Sequence, residues 1–113
     1  MYLNRLIKAF FYSLSGIRFL LKERAFLSEI ILGAVLGILL YFSQNTISEM
    51  LYIFSSYCLV LVTESVNTCI ETVVNRISSE RNLLSKKAKD IGSAAVFLAL
   101  LHLGVVFAFL IRF

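Results

Sequence analysis

Four polar side chains recur at helical spacing within one strongly apolar segment of the sequence. They are Glu64, Asn67, Glu71 and Asn75, in the stretch TESVNTCIETVVNRI, with spacings of three, four and four residues. At about 100° per residue, these spacings place all four on one narrow stripe of a helix. A carboxylate that faces lipid is unfavourable, so two on one stripe predict contact with protein, water or a cation. A functional role is therefore favoured over a packing irregularity.

A second polar cluster follows the stripe. Lys86, Lys89 and Asp90 precede the small residues 92–95, with the sequence GSAA, and small residues let helix backbones approach closely. A plain connector with positive-inside lysines would explain Lys86 and Lys87, but not the whole pattern. Carboxylates beside lysines suit phosphate chemistry, because Mg²⁺ is bound by one or two carboxylates together with substrate phosphates. The residues alone predict a polar site at a membrane surface without identifying its substrate.

Signatures of several other enzyme classes are absent from the sequence. It contains no GxxxxGK[ST] loop, no HRD motif, no GxSxG and no HExxH, which argues against P-loop enzymes, protein kinases, serine hydrolases and zinc proteases. Cys58 and Cys69 have no CxxC spacing, and in one helix they would lie roughly 16 Å apart, too far for a disulfide. We interpret both cysteines as packing residues.

Composition and hydropathy indicate a single membrane domain over residues 1–113. The chain is 59% hydrophobic, has no proline, and carries a net charge of +4 from basic residues that flank apolar runs. This charge pattern favours anionic lipid headgroups over nucleic acid as the partner. The apolar runs 30–48, 50–75 and 91–111 are long enough to span a bilayer. The sequence thus predicts an all-α membrane protein with three transmembrane helices.

Residues outside the spans set the expected topology. Residues 1–29 have apolar and basic positions at helical spacing and predict an amphipathic helix in the membrane interface. Basic residues concentrate in 1–29 and in the connector 76–90, whereas 43–49 has none. We therefore expect a multi-pass protein of the cell inner (cytoplasmic) membrane, with the N-terminus and the 76–90 connector cytoplasmic. No cleavable signal peptide is expected. His102, in the third span, is expected to bond a neighbouring helix.

The longest motifs resemble those of the prokaryotic diacylglycerol kinases. The most specific are ESVNTCIETVVNR at 64–76 and AKDIGSAAV at 88–96, and RLIKA at 5–9, YSLSGIR at 12–18 and ERAFLSE at 23–29 match more weakly. The resemblance implies a small lipid kinase with three spans that forms homotrimers with shared active sites. It also implies ATP- and Mg²⁺-dependent phosphorylation of diacylglycerol to phosphatidic acid at the cytoplasmic interface, where the lipid enters from the bilayer.

The resemblance also assigns roles on the lipid side of the site. Glu64 would be the general base that takes the proton of the lipid hydroxyl, and Asn67 would help to hold it. Ser93 would touch the lipid headgroup, and Arg5 would contact substrate from the surface helix.

On the nucleotide side, the resemblance implies that Glu71 and Glu23 hold Mg²⁺ together with the ATP phosphates. Lys89 would neutralise developing phosphate charge, and Asp90 would help to bind the nucleotide. The remaining nucleotide contacts implied by the resemblance are Arg5, Tyr12, Glu80 and Asn82.

Two features depart from the family pattern. Asn75 stands where the family usually has Asp, which weakens an expected metal or nucleotide contact. The interval from Arg18 to Glu23 is one residue short, which makes Glu29 an alternative to Glu23.

Three other functions stay open at this point. The same family includes undecaprenol kinases, although segment 92–95 looks more like the diacylglycerol branch. A proton-coupled exporter would also use an intramembrane Glu, but here the stripe leads to one end only, where the Lys-Asp cluster lies. The third alternative is a non-catalytic subunit of a membrane assembly.

Overall fold

A computed structural model describes residues 1–77 and 82–113, which form four helices and no strand within those ranges. The helices are α1 (Tyr2–Leu20), α2 (Arg24–Tyr41), α3 (Ile47–Ile77) and α4 (Leu83–Leu110). Helices α2, α3 and α4 are long and apolar enough to cross a membrane. The predicted fold class is confirmed: an all-α membrane protein with an N-terminal amphipathic helix and three candidate transmembrane helices.

Helix α3 is longer than the hydrocarbon core of a membrane is thick. Its 31 residues rise roughly 46 Å at about 1.5 Å each, whereas a hydrocarbon core is roughly 30 Å thick. One end of α3 must therefore extend into an interface. The charged end contains Glu71 and Arg76, and the continuous helix satisfies its backbone polar groups internally, as a lipid environment requires.

The break between the surface helix and the first span lies earlier than the sequence ranges place it. α1 ends at Leu20, and Glu23 has an extended backbone (φ −89°, ψ 130°) as the N-cap of α2. Residues 24–29 are therefore part of α2 and not of the surface helix. As a result, Glu29 lies inside a membrane-spanning helix, where it is buried.

Helices α3 and α4 pack along a stripe of buried side chains that recur every three or four residues. The stripe comprises Ile53, Ser56, Tyr57, Val60, Glu64 and Asn67 on α3, and Gly92, Val96, Ala99, Leu103 and Val106 on α4. Ile53 and Val60 are fully buried, and Leu36 of α2 joins their cluster. The apolar part of the α3 stripe runs directly into Glu64 and Asn67, so the core positions the polar residues.

A polar contact also joins these two helices within the apolar region. Ser56 Oγ lies 3.5 Å from Nε2 of His102, at the outer limit of a hydrogen bond. Its geometry agrees with the helix-to-helix role expected for His102.

At the N-terminal end of α3, far from Glu64 and Glu71, a set of hydrogen bonds joins the α2–α3 turn to the end of α4. The Asn45 side chain donates to the carbonyl oxygen of Leu110 and to Glu49 Oε2 (2.8 Å), and its Oδ1 accepts from the backbone N–H of Arg112 (3.0 Å). The Arg112 guanidinium pairs with the Glu49 carboxylate. We call this set, formed by Asn45, Glu49, Leu110 and Arg112, the turn clasp.

Replacing Asn45 should weaken the fold without touching Glu64 or Glu71. Asn45 is buried and makes three of the clasp bonds, so Asn45→Ala should lower the free energy of unfolding by about 1–3 kcal/mol. Thermal unfolding in detergent micelles measures the change. Gln44→Ala removes an exposed side chain next to it and serves as the control. Equal unfolding temperatures for the two variants would contradict a stabilising clasp.

Candidate active site

Glu64, Asn67 and Glu71 form a continuous polar stripe on α3, which we call the acidic stripe. Glu64 and Asn67 are each 6% exposed, whereas Glu71 is half-buried. Asn75, one turn further, is exposed. The structure therefore turns the deeper part of the predicted stripe towards protein and opens the stripe towards the charged end of the helix.

A third carboxyl group lies beside Glu64. Glu29 of α2 is 8% exposed, and its carboxyl group is close enough to that of Glu64 to hydrogen-bond if one of the two carries a proton. The signal for Glu29 was present in the sequence, because Phe26, Glu29, Gly33 and Leu36 recur at spacings of three and four. The sequence analysis places residues 24–29 in the surface helix and therefore gives Glu29 only as an alternative to Glu23.

The carboxyl groups of this cluster are close enough to affect one another's charge. Glu71 and Glu23 lie near enough to Glu64 to repel its charge. Within the described residues, neither salt bridge involves the acidic stripe. Carboxylates in a low-dielectric site repel strongly unless a proton or a cation lies between them. The cluster thus favours ligands that bring a proton or positive charge.

Close packing of α4 fixes the Asn67 amide. A Cβ atom on Gly92 would overlap Asn67 Oδ1, so glycine is what allows the α4 backbone to lie against this side chain. On its other side, Asn67 Nδ2 donates to Glu71 Oε1 over 3.4 Å. The amide is therefore held between α4 and Glu71, and it can orient the Glu71 carboxylate.

Two buried oxygen atoms in the site have no hydrogen-bond partner among the described residues. They are Glu29 Oε2 and Asn67 Oδ1. Unsatisfied buried oxygens are uncommon and expensive, which makes each one informative. The Glu29 carboxyl group can share a proton with that of Glu64, whereas Asn67 Oδ1 is packed against Gly92 of α4.

The oxygen atoms of the site fit Mg²⁺ in kind, because Mg²⁺ prefers carboxylate and amide oxygens. Within the described residues, no group of three or more His, Cys, Asp or Glu side chains is arranged to hold a metal ion. Mg²⁺ in nucleotide sites commonly takes only one or two carboxylates and completes its shell with phosphates and water. Glu71 and Glu23 could supply such a pair.

The N-terminal turns of α4 carry the basic part of the site. Asn82 caps the helix, since its Oδ1 accepts from the backbone N–H of Leu84 (2.8 Å). Lys86 Nζ lies 2.6 Å from Asp90 Oδ2, and both side chains are exposed. Lys89 is half-buried. The capping role of Asn82 and the Lys86–Asp90 pair were both missed from sequence, although N-cap preference and i,i+4 spacing would have indicated them.

Other predicted site residues are not gathered at the acidic stripe. Arg5 and Tyr12 are exposed on α1, which buries no residue, and Ser93 is exposed on α4. No hydrogen bond or salt bridge among the described residues joins any of the three to the stripe. Glu80 lies outside the described residues.

A cavity of about 640 Å³ lies between α1 and α3, next to Glu23. Its wall combines the apolar side chains Ile17 and Leu20 with the hydroxyl-bearing residues Ser13, Ser65, Thr68 and Thr72. Thr68 follows Asn67 directly, so the cavity adjoins the acidic stripe. An amphipathic molecule with a small polar head suits such a wall.

The sequence of this chain matches a known protein family. Residues 11–111 match the family described as prokaryotic diacylglycerol kinase. A diacylglycerol kinase of Haemophilus influenzae (strain Rd) is 42% identical over 112 residues, which cover 98% of this chain and 95% of that protein. The diacylglycerol kinase of Escherichia coli K12 is 41% identical over 102 residues, or 87% of this chain and 81% of that protein. That of Pseudomonas aeruginosa PAO1 is 37% identical over 107 residues, or 94% and 87%.

These matches show that the chain is a membrane-embedded transferase. More specifically, the chain belongs to the prokaryotic diacylglycerol kinase family, a family of lipid kinases. The resemblance read from segments 64–76 and 88–96 is thereby confirmed. Family membership implies ATP as the phosphate donor.

Gly92→Ala should damage the site through Asn67. The added methyl group overlaps the Asn67 amide, so the amide must shift, which disturbs its long hydrogen bond of 3.4 Å to Glu71. We expect at least a tenfold loss of lipid kinase activity and only a small change in the free energy of unfolding. Gly104→Ala on the same helix, where a Cβ meets no atom within 4 Å, is the matched control. Full activity in the Gly92→Ala variant would show that the Asn67 amide does not depend on this contact.

Proposed function

We propose that this chain phosphorylates the free hydroxyl of diacylglycerol with ATP, forming phosphatidic acid at the cytoplasmic face of the cell inner membrane. The observation that carries the proposal is the acidic stripe, in which Glu64 is buried against Glu29 while Glu71 stays accessible from the charged end of α3. The relatives' shared name supports the choice of diacylglycerol.

In the proposed reaction, Glu64 acts as the general base. It takes the proton from the lipid hydroxyl while the hydroxyl oxygen attacks the γ-phosphorus of ATP, and ADP leaves. Glu29 beside it accepts a hydrogen bond from the newly protonated Glu64, which stabilises the transferred proton. Asn67 holds the stripe in register through its contact with Glu71.

In the proposal, the charge of the ATP phosphates is neutralised by groups that are more accessible than Glu64. Glu71 and Glu23 would hold Mg²⁺, which offsets the charge of the ATP phosphates. Glu23 suits this role better than Glu29, because Glu23 is exposed at the start of α2 whereas Glu29 already pairs with Glu64. Lys89 and Asp90 on α4 would bind the nucleotide.

The lipid is proposed to reach Glu64 from the bilayer. The cavity between α1 and α3 adjoins Thr68 and Glu23, and its mixed wall suits a glycerol ester with apolar chains. Assembly into a homotrimer with shared sites is part of the proposal. It is supported by α1, whose side chains, including Arg5 and Tyr12, are left unburied in one chain.

Family membership favours a lipid kinase over the exporter and the assembly subunit. The remaining alternative is undecaprenol as the alcohol. Purified protein assayed with ATP on both alcohols in mixed micelles separates the two substrates. Phosphorylation of diacylglycerol at the higher kcat/KM supports the proposal, whereas a preference for undecaprenol would overturn the substrate assignment.

Glu64→Gln should abolish lipid phosphorylation. The amide keeps the size of the side chain but cannot accept the proton, and loss of a general base typically lowers the rate by about 10²–10⁴-fold. Transfer of ³²P from ATP to diacylglycerol measures the change. Glu49→Gln, at the other end of the same helix, should retain kcat below its unfolding temperature. Retained kcat in Glu64→Gln would remove the proposed base.

Glu71→Ala should change the response to Mg²⁺ as well as the rate. Removing one of two proposed carboxylate ligands should raise the Mg²⁺ concentration for half-maximal activity several-fold. Val66→Ala alters an exposed residue of α3 that lies outside the cavity wall and is the control. If Glu71→Ala slows the reaction but leaves the Mg²⁺ response of the wild type, Glu71 does not hold the metal.

A further inference from the structure

Tyr57 makes an unusual contact between α3 and α2. Its side chain is only 8% exposed, and its hydroxyl donates a hydrogen bond of 2.7 Å to the backbone carbonyl oxygen of Glu29. The phenol ring lies against Gly33, where a Cβ atom would overlap the ring. Tyr57 of α3 therefore packs on Gly33 of α2. Its hydroxyl is hydrogen-bonded to the backbone of Glu29, the residue that faces Glu64.

The geometry of the two helices connects this contact to the carboxyl pair. Tyr57 and Glu64 are seven residues apart on α3, about two turns, so they lie on the same face. Gly33 is one turn from Glu29 on α2. Tyr57 and Gly33 thus make one contact between α3 and α2. Glu29 and Glu64 make a second contact, nearer the charged end of α3.

A change in helix register would separate the carboxyl groups. Sliding α2 by one residue moves each side chain about 1.5 Å along the axis and 100° around it. That motion would put the Cβ atom of a neighbouring residue where Gly33 now meets the Tyr57 ring, and such an overlap is unfavourable. The other contacts of α2 are apolar, apart from Glu29 itself: Phe26 and Leu36 are buried, and Leu32 and Leu40 are partly buried against the core.

We infer that Tyr57, seated on Gly33, is a positioning residue that sets the depth and rotation at which Glu29 meets Glu64. The inference rests on the proposed function, in which these two carboxyl groups receive the proton of the lipid hydroxyl. Tyr57 itself touches neither substrate, and it acts only through Glu29.

A double-mutant cycle separates this role from ordinary packing. Tyr57→Phe keeps the ring and removes the hydroxyl, and it should lower kcat about threefold to tenfold with little change in KM for ATP. In the Glu29→Gln background, Tyr57→Phe should lower kcat by less than twofold, because the group that it positions is already gone. Tyr52→Phe, which alters an exposed tyrosine on α3, should match the wild type.

A second measurement does not need the kinase reaction. In a chain with Cys58 and Cys69 replaced by Ser, the pair Glu29→Cys and Glu64→Cys reports the approach of the two positions through oxidative cross-linking. Adding Tyr57→Phe should slow cross-linking at least threefold, whereas adding Tyr52→Phe should leave the rate unchanged.

The outcomes distinguish failure of the inference from failure of the proposed function. An unchanged kcat in Tyr57→Phe, equal losses in the two backgrounds, or an unchanged cross-linking rate would overturn the positioning role while leaving the kinase intact. If the wild type phosphorylates no lipid alcohol, the proposed function fails, and the cross-linking rate alone then decides whether Tyr57 sets the register.

Discussion

The structure depends on one electrostatic constraint: several carboxyl groups are gathered on the buried side of a membrane-spanning helix. Glu64 is buried beside Glu29 of α2, with Glu71 and Glu23 within range of its charge. In a low-dielectric environment such a group is unfavourable without a proton or a cation to share. This constraint is why we propose that the acidic stripe receives a ligand that brings positive charge or an exchangeable proton. A metal-bound nucleotide and an alcohol together bring both.

The rest of the fold holds that stripe in a single register. Apolar contacts between α3 and α4 lead into it, and two glycines let the helices approach closely at the points that matter. Gly92 admits the Asn67 amide from one side, and Gly33 admits the Tyr57 ring from the other. The turn clasp closes the opposite end of the bundle with hydrogen bonds and an ion pair. Stability and chemistry are thus concentrated at different ends of the same helices.

Much of this arrangement could be predicted from the sequence, and the exceptions have physical reasons. Apolar run length predicted the three spans, and spacings of three and four predicted that Glu64 and Asn67 would share a face and be buried. The pairing of Glu29 with Glu64 depends on how α2 and α3 pack, which periodicity within one helix cannot determine. The charge-free run begins at residue 30, which is where the sequence analysis starts the first span, whereas α2 begins at Arg24. The contact of Tyr57 with Gly33 joins residues far apart in sequence, so no local pattern indicated it.

The central claim is that a metal-bound nucleotide docks beside the acidic stripe, and a distance measurement tests it most directly. Cys69 is exposed on α3 two residues before Glu71, so it can carry a nitroxide once Cys58 is replaced by Ser. Mn²⁺ added in place of Mg²⁺ with a non-hydrolysable ATP analogue should strongly broaden the nitroxide spectrum. A nitroxide on Ser48→Cys, roughly 35 Å from Glu71 along the helix, should be affected far less. Equal broadening at both positions, or none at Cys69, would contradict the account.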